Sequence, residues 1–176
     1  MPSHNSPTPY LALRRMSSPE AEMISLAEAK LYLRVDHADE DIFISEMILA
    51  VRQFAEDYLG RSLVSQRWQV DYESVDTILH LPMAPIQEII DITMNGTLLN
   101  AQDYQLIAQC SVTLSSPITG QITVTFDGGT DDLNQPYAVK QAMLAHIALC
   151  YDQRGMDIMQ PAPAHRLYTP YKEVRI

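Results

Sequence analysis

The side chains that could do chemistry are few, and their spacing does not suit it. The carboxylates Asp36, Asp39, Glu40 and Asp41 crowd into one short stretch that could chelate calcium. They lack the turn glycine and distal Glu of an EF-hand loop, and they stand where a helix would begin. Stabilising the positive end of that helix dipole is their expected role. The histidines are His4, His37, His80, His146 and His165, and no two share a metal-ligand spacing such as HExxH. His146 falls in the apolar sector of a helical pattern and reads as a hydrogen-bonded core or interface histidine. Pairing it with Cys150, one turn on, would need an orienting third group for nucleophilic chemistry, and none is in view. Asp127-Gly128-Gly129-Thr130 looks like a phosphate loop, yet it has no GxxxxGK[ST] pattern and precedes Asp131 and Asp132, which repel phosphate. A turn is its expected role. Adjacent loop carboxylates such as Asp131 and Asp132 seldom converge as an acid/base couple. The expectation is a protein without catalytic residues, metal site or cofactor, and therefore not an enzyme.

The elements that would position these residues are clearer. Ser25-Leu26-Ala27-Glu28 fits a capping box that starts a short helix over 26–34. A longer helix follows over 40–59, with Phe43, Met47, Val51, Phe54 and Tyr58 as its apolar stripe and Gly60 as its left-handed stop. From Ser62 the period changes to two. Trp68, Val70 and Tyr72 alternate with polar neighbours, as do Ile122, Val124 and Phe126, and Asn95-Gly96 signals a hairpin. A β module of five or six strands is expected over 66–126. Asn134 and Pro136 open a third helix over 136–154, whose inward sector holds Val139, Ala142, Met143, His146, Ile147 and Cys150. Gly155 ends it. Residues 1–22 are rich in Ser and Pro and read as a flexible arm, with an apolar patch from Tyr10 to Leu13 too short for a signal-peptide core. Residues 156–176 read as an extended tail, though Leu167, Tyr168, Tyr171, Val174 and Ile176 are too apolar for a solvated end.

Composition excludes several classes. The chain has 176 residues, 47% of them hydrophobic, which suits one domain, or one domain with an insertion, and is too apolar for disorder over most of its length. Only 19% are charged, against about 25% in a typical domain. The net charge of −10 argues against a grip on nucleic acid through phosphate neutralisation. Residues 16–60 hold ten acids against three bases and residues 61–134 hold nine against two, whereas both ends are mildly basic. No run approaches the ~18 apolar residues of a membrane span. Cys110 and Cys150 lack metal-site spacing and read as buried free thiols, which fits a reducing cytoplasm.

Four blocks in order carry a resemblance. They are Ser25 to Asp36 with Ala55 to Arg61; Trp68 with Leu81-Pro82-Met83-Ala84-Pro85-Ile86 and Asp103-Tyr104; Val139 to Ala142 through Tyr151 to Arg154; and Leu167 to Ile176. The chain, over 23–176, resembles the head–tail connector (adaptor) proteins of long-tailed bacteriophages. The resemblance implies an α+β fold: a small helical bundle, an antiparallel β insertion between the second and third main helices, and an extended C-terminal tail. It also implies a virion protein at the neck, made in the host bacterial cytoplasm. Such a protein forms a homo-oligomeric ring, commonly of twelve subunits, between the portal and a tail-side stopper or tail terminator protein. DNA passes through its channel without specific binding. The tail would dock into the portal, which points to Arg166, Leu167, Tyr168, Pro170, Tyr171, Lys172, Arg175 and Ile176. Phe43, Met47, Val51, Phe54, Tyr58, Val139, Met143, His146 and Ile147 become core or ring-interface candidates. The arm over 1–22 has no counterpart in the family. The alternative reading is a cytoplasmic small-ligand-binding protein or enzyme built on the β module, and a third is a monomeric binding module.

Overall fold

The computed structural model describes residues 10–75, 77–131, 137–153 and 166–172. They divide into two compact units, one formed by Met1–Glu20 with Ser65–Thr130 and the other by Ala21–Val64 with Asp131–Ile176. The fold is α+β.

The helical unit contains α1 (Leu26–Leu33), α2 (Asp41–Leu59) and α3 (Tyr137–Asp152). Ser25 starts α1 as the expected capping box: its Oγ accepts from the Glu28 N–H at 3.2 Å, and its own N–H donates to Glu28 Oε2 at 3.0 Å. The reciprocal bonds satisfy donors that the first helical turn leaves open. Gly60 closes α2 at φ +67°, and its N–H reaches the Glu56 carbonyl at 2.8 Å. The acidic cluster ties the helices together. Asp41 pairs with Lys30, and Glu40 accepts a hydrogen bond from the Tyr151 hydroxyl. Glu28 pairs with Lys140 of α3 at 2.6 Å, and that ammonium holds its carboxyl below the usual range.

One expectation about α2 needs correction. Its buried stripe is Ile44, Met47, Ile48, Val51, Ala55 and Leu59, and Phe43 is 38% exposed. Two stripes one residue apart both fit a 3.6-residue period, and of the expected one only Phe43 falls outside the core cluster. Met47 and Val51 belong to both. Phe54 and Tyr58 are half-buried against the core. In α3, Val139, Ala142, Met143, His146 and Ile147 are buried as expected. The expected cap at Asn134 and the stop at Gly155 lie outside the described residues.

The β unit holds a five-stranded antiparallel sheet in the order β1-β2-β8-β4-β5 and a three-stranded one in the order β3-β7-β6. The strands are β1 (Ala12–Arg15), β2 (Gln66–Val75), β3 (Ile78–His80), β4 (Ile86–Met94), β5 (Thr97–Leu98), β6 (Tyr104–Ile107), β7 (Ser111–Leu114) and β8 (Ile118–Gly128). Both sheets share one core, in which Trp68 faces Phe126, Val70 faces Val124 and Tyr72 faces Ile122 across β2 and β8. Asn95 and Gly96 take φ +49° and +80°, the left-handed pair a two-residue hairpin turn requires.

Two further expectations change. The arm over 1–22 supplies β1, which pairs with β2 from Ala12↔Asp71 to Arg15↔Trp68. Serine and proline on either side masked a four-residue strand. The tail over 156–176 is not extended where it is described: residues 166–168 are helical and continue into a 3-10 turn at Thr169–Tyr171. Pro170 fixes a φ that suits the first turn of a helix as well as an extended chain, so composition alone did not discriminate. Among the described residues, no helix is long and apolar enough to cross a membrane.

Candidate functional site

The C-terminal segment is seated in the helical unit by one aromatic residue. Tyr168 is fully buried, with its ring 6.1 Å from Phe54, 6.4 Å from Tyr58 and 5.8 Å from His146. Phe54 and His146 meet edge to face at 5.0 Å. Such rings contribute through their area and their quadrupoles. The one polar group Tyr168 brings inside is satisfied, because its hydroxyl shares a hydrogen bond with His146 Nδ1 at 3.1 Å. Around this anchor, the Tyr58 and Thr169 hydroxyls bond at 2.9 Å, and Lys172 Nζ sits 4.8 Å from the centre of the Tyr58 ring. Helices α2 and α3 therefore furnish a pocket of rings that receives a segment more than a hundred residues from Phe54 in the chain.

Burial sets the electrostatics. Desolvation pushes His146 down to about 4, so its imidazole is neutral at physiological pH. Burial also raises the Tyr168 hydroxyl above its ordinary value, with Cys150 adding to it, and raises the Cys150 thiol. A neutral imidazole bonded to a protonated phenol is a packing device. The raised Cys150 thiol favours its protonated form. The low-lying His146 reflects its apolar seat, and the expectation of a hydrogen-bonded core histidine describes it well.

The sequence profile of the head completion protein family matches residues 22–155. The chain belongs to that family. Its fold is that of solved neck proteins from gene transfer agent (GTA) particles. A chain of the neck of the empty GTA particle, with C6 symmetry, superposes at a TM-score of 0.77 with 17% identity, covering 94% of this chain and 97% of that one. A chain of the native GTA virion gives 0.75 at 18% identity, and one from the native GTA neck with C12 symmetry gives 0.69 at 18%, with the same coverage. None of the curated proteins compared with this sequence matches it.

Family membership leaves each sequence-derived site residue to be placed by geometry. Tyr168 has its whole side chain buried inside its own unit. Leu167 and Tyr171 are half-buried on the same core, whereas Arg166, Pro170 and Lys172 are exposed. Arg175 and Ile176 lie outside the described residues, as do His4 and His165. His37 is exposed beside Asp39, and His80 Nδ1 bonds to Ser111 Oγ, so the remaining histidines converge on nothing. Among the described residues, no three His, Cys, Asp or Glu side chains group as a metal cage.

One network escaped the sequence reading. Arg52 is fully buried in α2, where it grips Glu22 through Nε at 2.7 Å and Nη2 at 3.2 Å, and Glu56 through Nη1 at 2.7 Å. Glu56 Oε1 then accepts the Leu63 N–H at 2.9 Å. Arg52 and Glu56 stand four apart on a helix, which is a legible spacing. Their burial and the Glu22 partner are tertiary facts.

Proposed function

We propose that this protein is a structural component of the neck of a tailed-phage-like particle. In this reading it assembles with itself into a ring between the portal and a tail-side stopper or terminator protein, with DNA passing through the channel. It performs no catalysis. The observation that carries the reading is the match to the head completion protein family over residues 22–155. The likeness to chains from GTA necks with C6 and C12 symmetry supports a cyclic assembly, with twelve subunits as the leading count. The net charge of −10 supports passage of DNA without a grip, because an acidic wall repels phosphates.

Particles made without the chain should accumulate as filled heads and separate tails that do not join. Tailed particles of normal yield in its absence would overturn the reading. Portal docking falls to Arg166, Leu167, Pro170, Tyr171, Lys172, Arg175 and Ile176, with Tyr168 holding the segment in place. Truncation after Lys172 keeps the Tyr168 seat and removes Arg175 and Ile176. The truncated chain should melt like the full one yet lose co-purification with portal rings. Undiminished co-purification would remove those terminal residues from the interface.

A further inference from the structure

The five-stranded sheet ends in β1 on one side and in the two-residue β5 on the other, and where β5 stops the open flank of β4 carries a charge opposite to that of β1. Register aligns Arg14 of β1 with Gln69, Gln69 with Thr125, and Thr125 with Asp91 of β4, so one row across the sheet starts on a base and finishes on an acid. The neighbouring row runs Arg67–Asp127–Glu88 and also finishes on an acid. The partners of Asp91 and Glu88, Thr125 and Asp127, are two apart on β8, so both acids share one face of the sheet with Arg67, on which both act electrostatically. Arg67 is bound at 2.8 Å by Asp127. Glu88 and Asp91 form no ion pair among the described residues. At the other edge, the Arg14 side chain is 52% exposed and engages Asp71 and Gln69 through Nη1, while its fork has further donors to offer.

We infer that subunits join in the ring edge to edge, the β1 edge of one copy meeting the β4 edge of the next. The inference rests on the ring reading above and names its joint. Three observations carry it. The first is strand sense. Successive neighbours β1, β2, β8 and β4 are all antiparallel, so β1 and β4 run in opposite directions. A second copy continuing the sheet in the same orientation therefore sets its β1 antiparallel to β4. The second is length. β5 pairs with β4 at Thr93 and Met94 and the Leu99 N–H just after it reaches the Ile92 carbonyl at 2.9 Å, which leaves Gln87–Asp91 beyond, a stretch that suits the four-residue β1. The third is charge. A β1-to-β4 joint sets Arg14 against Glu88 and Asp91, and exposed Leu11 near exposed Ile90. Opposite charges across strands stabilise a pair, and like charges destabilise it.

Charge also selects the symmetry. Two β4 edges would oppose acid to acid, and two β1 edges would oppose Arg14 to Arg14, so both two-fold joints are disfavoured. The remaining heterologous joint is the kind that closes into rings. The short β1 and the register shifts of β4 between Ile86 and Glu88 and between Ile89 and Asp91 limit indiscriminate pairing of these edges.

The test uses two full-length variants, Arg14→Glu and the double variant Glu88→Lys/Asp91→Lys, each checked for an unchanged fold by circular dichroism. Assembly is read by mass photometry and negative-stain microscopy on the concentrated chain, alone and with portal rings. Wild type should form rings, and each variant alone should lose at least tenfold in ring yield. One variant then has two acidic edges and the other two basic edges, so an equimolar mixture should regain rings by alternation. A general loss of stability would not be rescued by mixing. Variants that assemble alone like wild type, or a mixture that stays unassembled, overturn the joint while leaving the ring reading intact. Wild type that stays monomeric in both arms overturns the ring reading, and the joint with it.

Discussion

Replacing Tyr168 with alanine tests whether the C-terminal segment is seated in solution. The ring is fully buried among Phe54, Tyr58 and His146, so its loss removes a complete aromatic side chain and leaves a cavity. Changes of that kind cost about 3–5 kcal/mol. The hydroxyl bond to His146 Nδ1 accounts for about 1 kcal/mol of net stability. Tyr168→Phe isolates that part, because it keeps the ring and removes only the bond. For a chain of this length each kcal/mol shifts the melting temperature by about 2–4 °C. Tyr168→Ala should therefore melt roughly 6–20 °C below wild type, and Tyr168→Phe about 2–4 °C below. Far-ultraviolet circular dichroism followed on heating reads mainly the helices, so it reports on the unit that holds the seat. An alanine variant that melts within about 1 °C of wild type would show that the segment is not docked there, since an unseated tyrosine has no packing to lose.

Three other expectations follow from the same unit. His146 is depressed from its ordinary value to about 4, so the unfolded chain binds its proton first as pH falls. Its contribution is intact above pH ~6.5 and declines toward pH ~4 at up to about 1.4 kcal/mol per unit; urea melts across that window should show the slope, and His146→Gln should flatten its upper part. Arg52→Ala leaves the buried Glu56 and its neighbour Glu22 without their shared cation, and should destabilise the helical unit by about 3–5 kcal/mol in denaturant titrations. A loss below about 1 kcal/mol would mean that water reaches the network. Ser25→Ala removes the cap of α1 and should cost about 1 kcal/mol, read as a shift in urea midpoint with an unchanged slope.

Local chemistry was the legible part of this chain. The Ser25/Glu28 box, the Gly60 stop and the Asn95-Gly96 turn involve residues a few positions apart, and each is decided by backbone geometry that the residue type dictates. The inward face of α3 was readable because apolar residues dominate its sector. What escaped were choices made by distant partners. Phe43 lost to Ile44 because packing decides between two stripes of equal period. β1 exists because β2 offers it an edge fifty residues away, and no local alternation marks it. Arg52 is a poor candidate for burial until Glu22 arrives from outside α2. Tyr168 looked like a sticky end because its seat is assembled from α2 and α3, neither of which adjoins it in sequence.

The seat also changes the energetics of the proposed portal docking. A free tail must lose its conformational entropy when it binds, at about 1–2 kcal/mol per residue. Residues 166–172 meet that cost during folding, roughly 7–14 kcal/mol for seven backbones, with Tyr168 burial and the Tyr58–Thr169 bond offsetting it. Docking by a preorganised segment then converts more of its contact energy into affinity. A synthetic peptide of residues 166–176 carries every proposed docking side chain but no seat. It should displace the full chain from portal rings only at concentrations at least about a thousandfold higher, equivalent to about 4 kcal/mol. Tyr168→Phe within the full chain should leave affinity nearly unchanged, because the ring alone retains most of the anchor. A peptide that competes as well as the full chain would show that the seat serves folding alone, and docking affinity would then have to come from side-chain contacts without help from preorganisation.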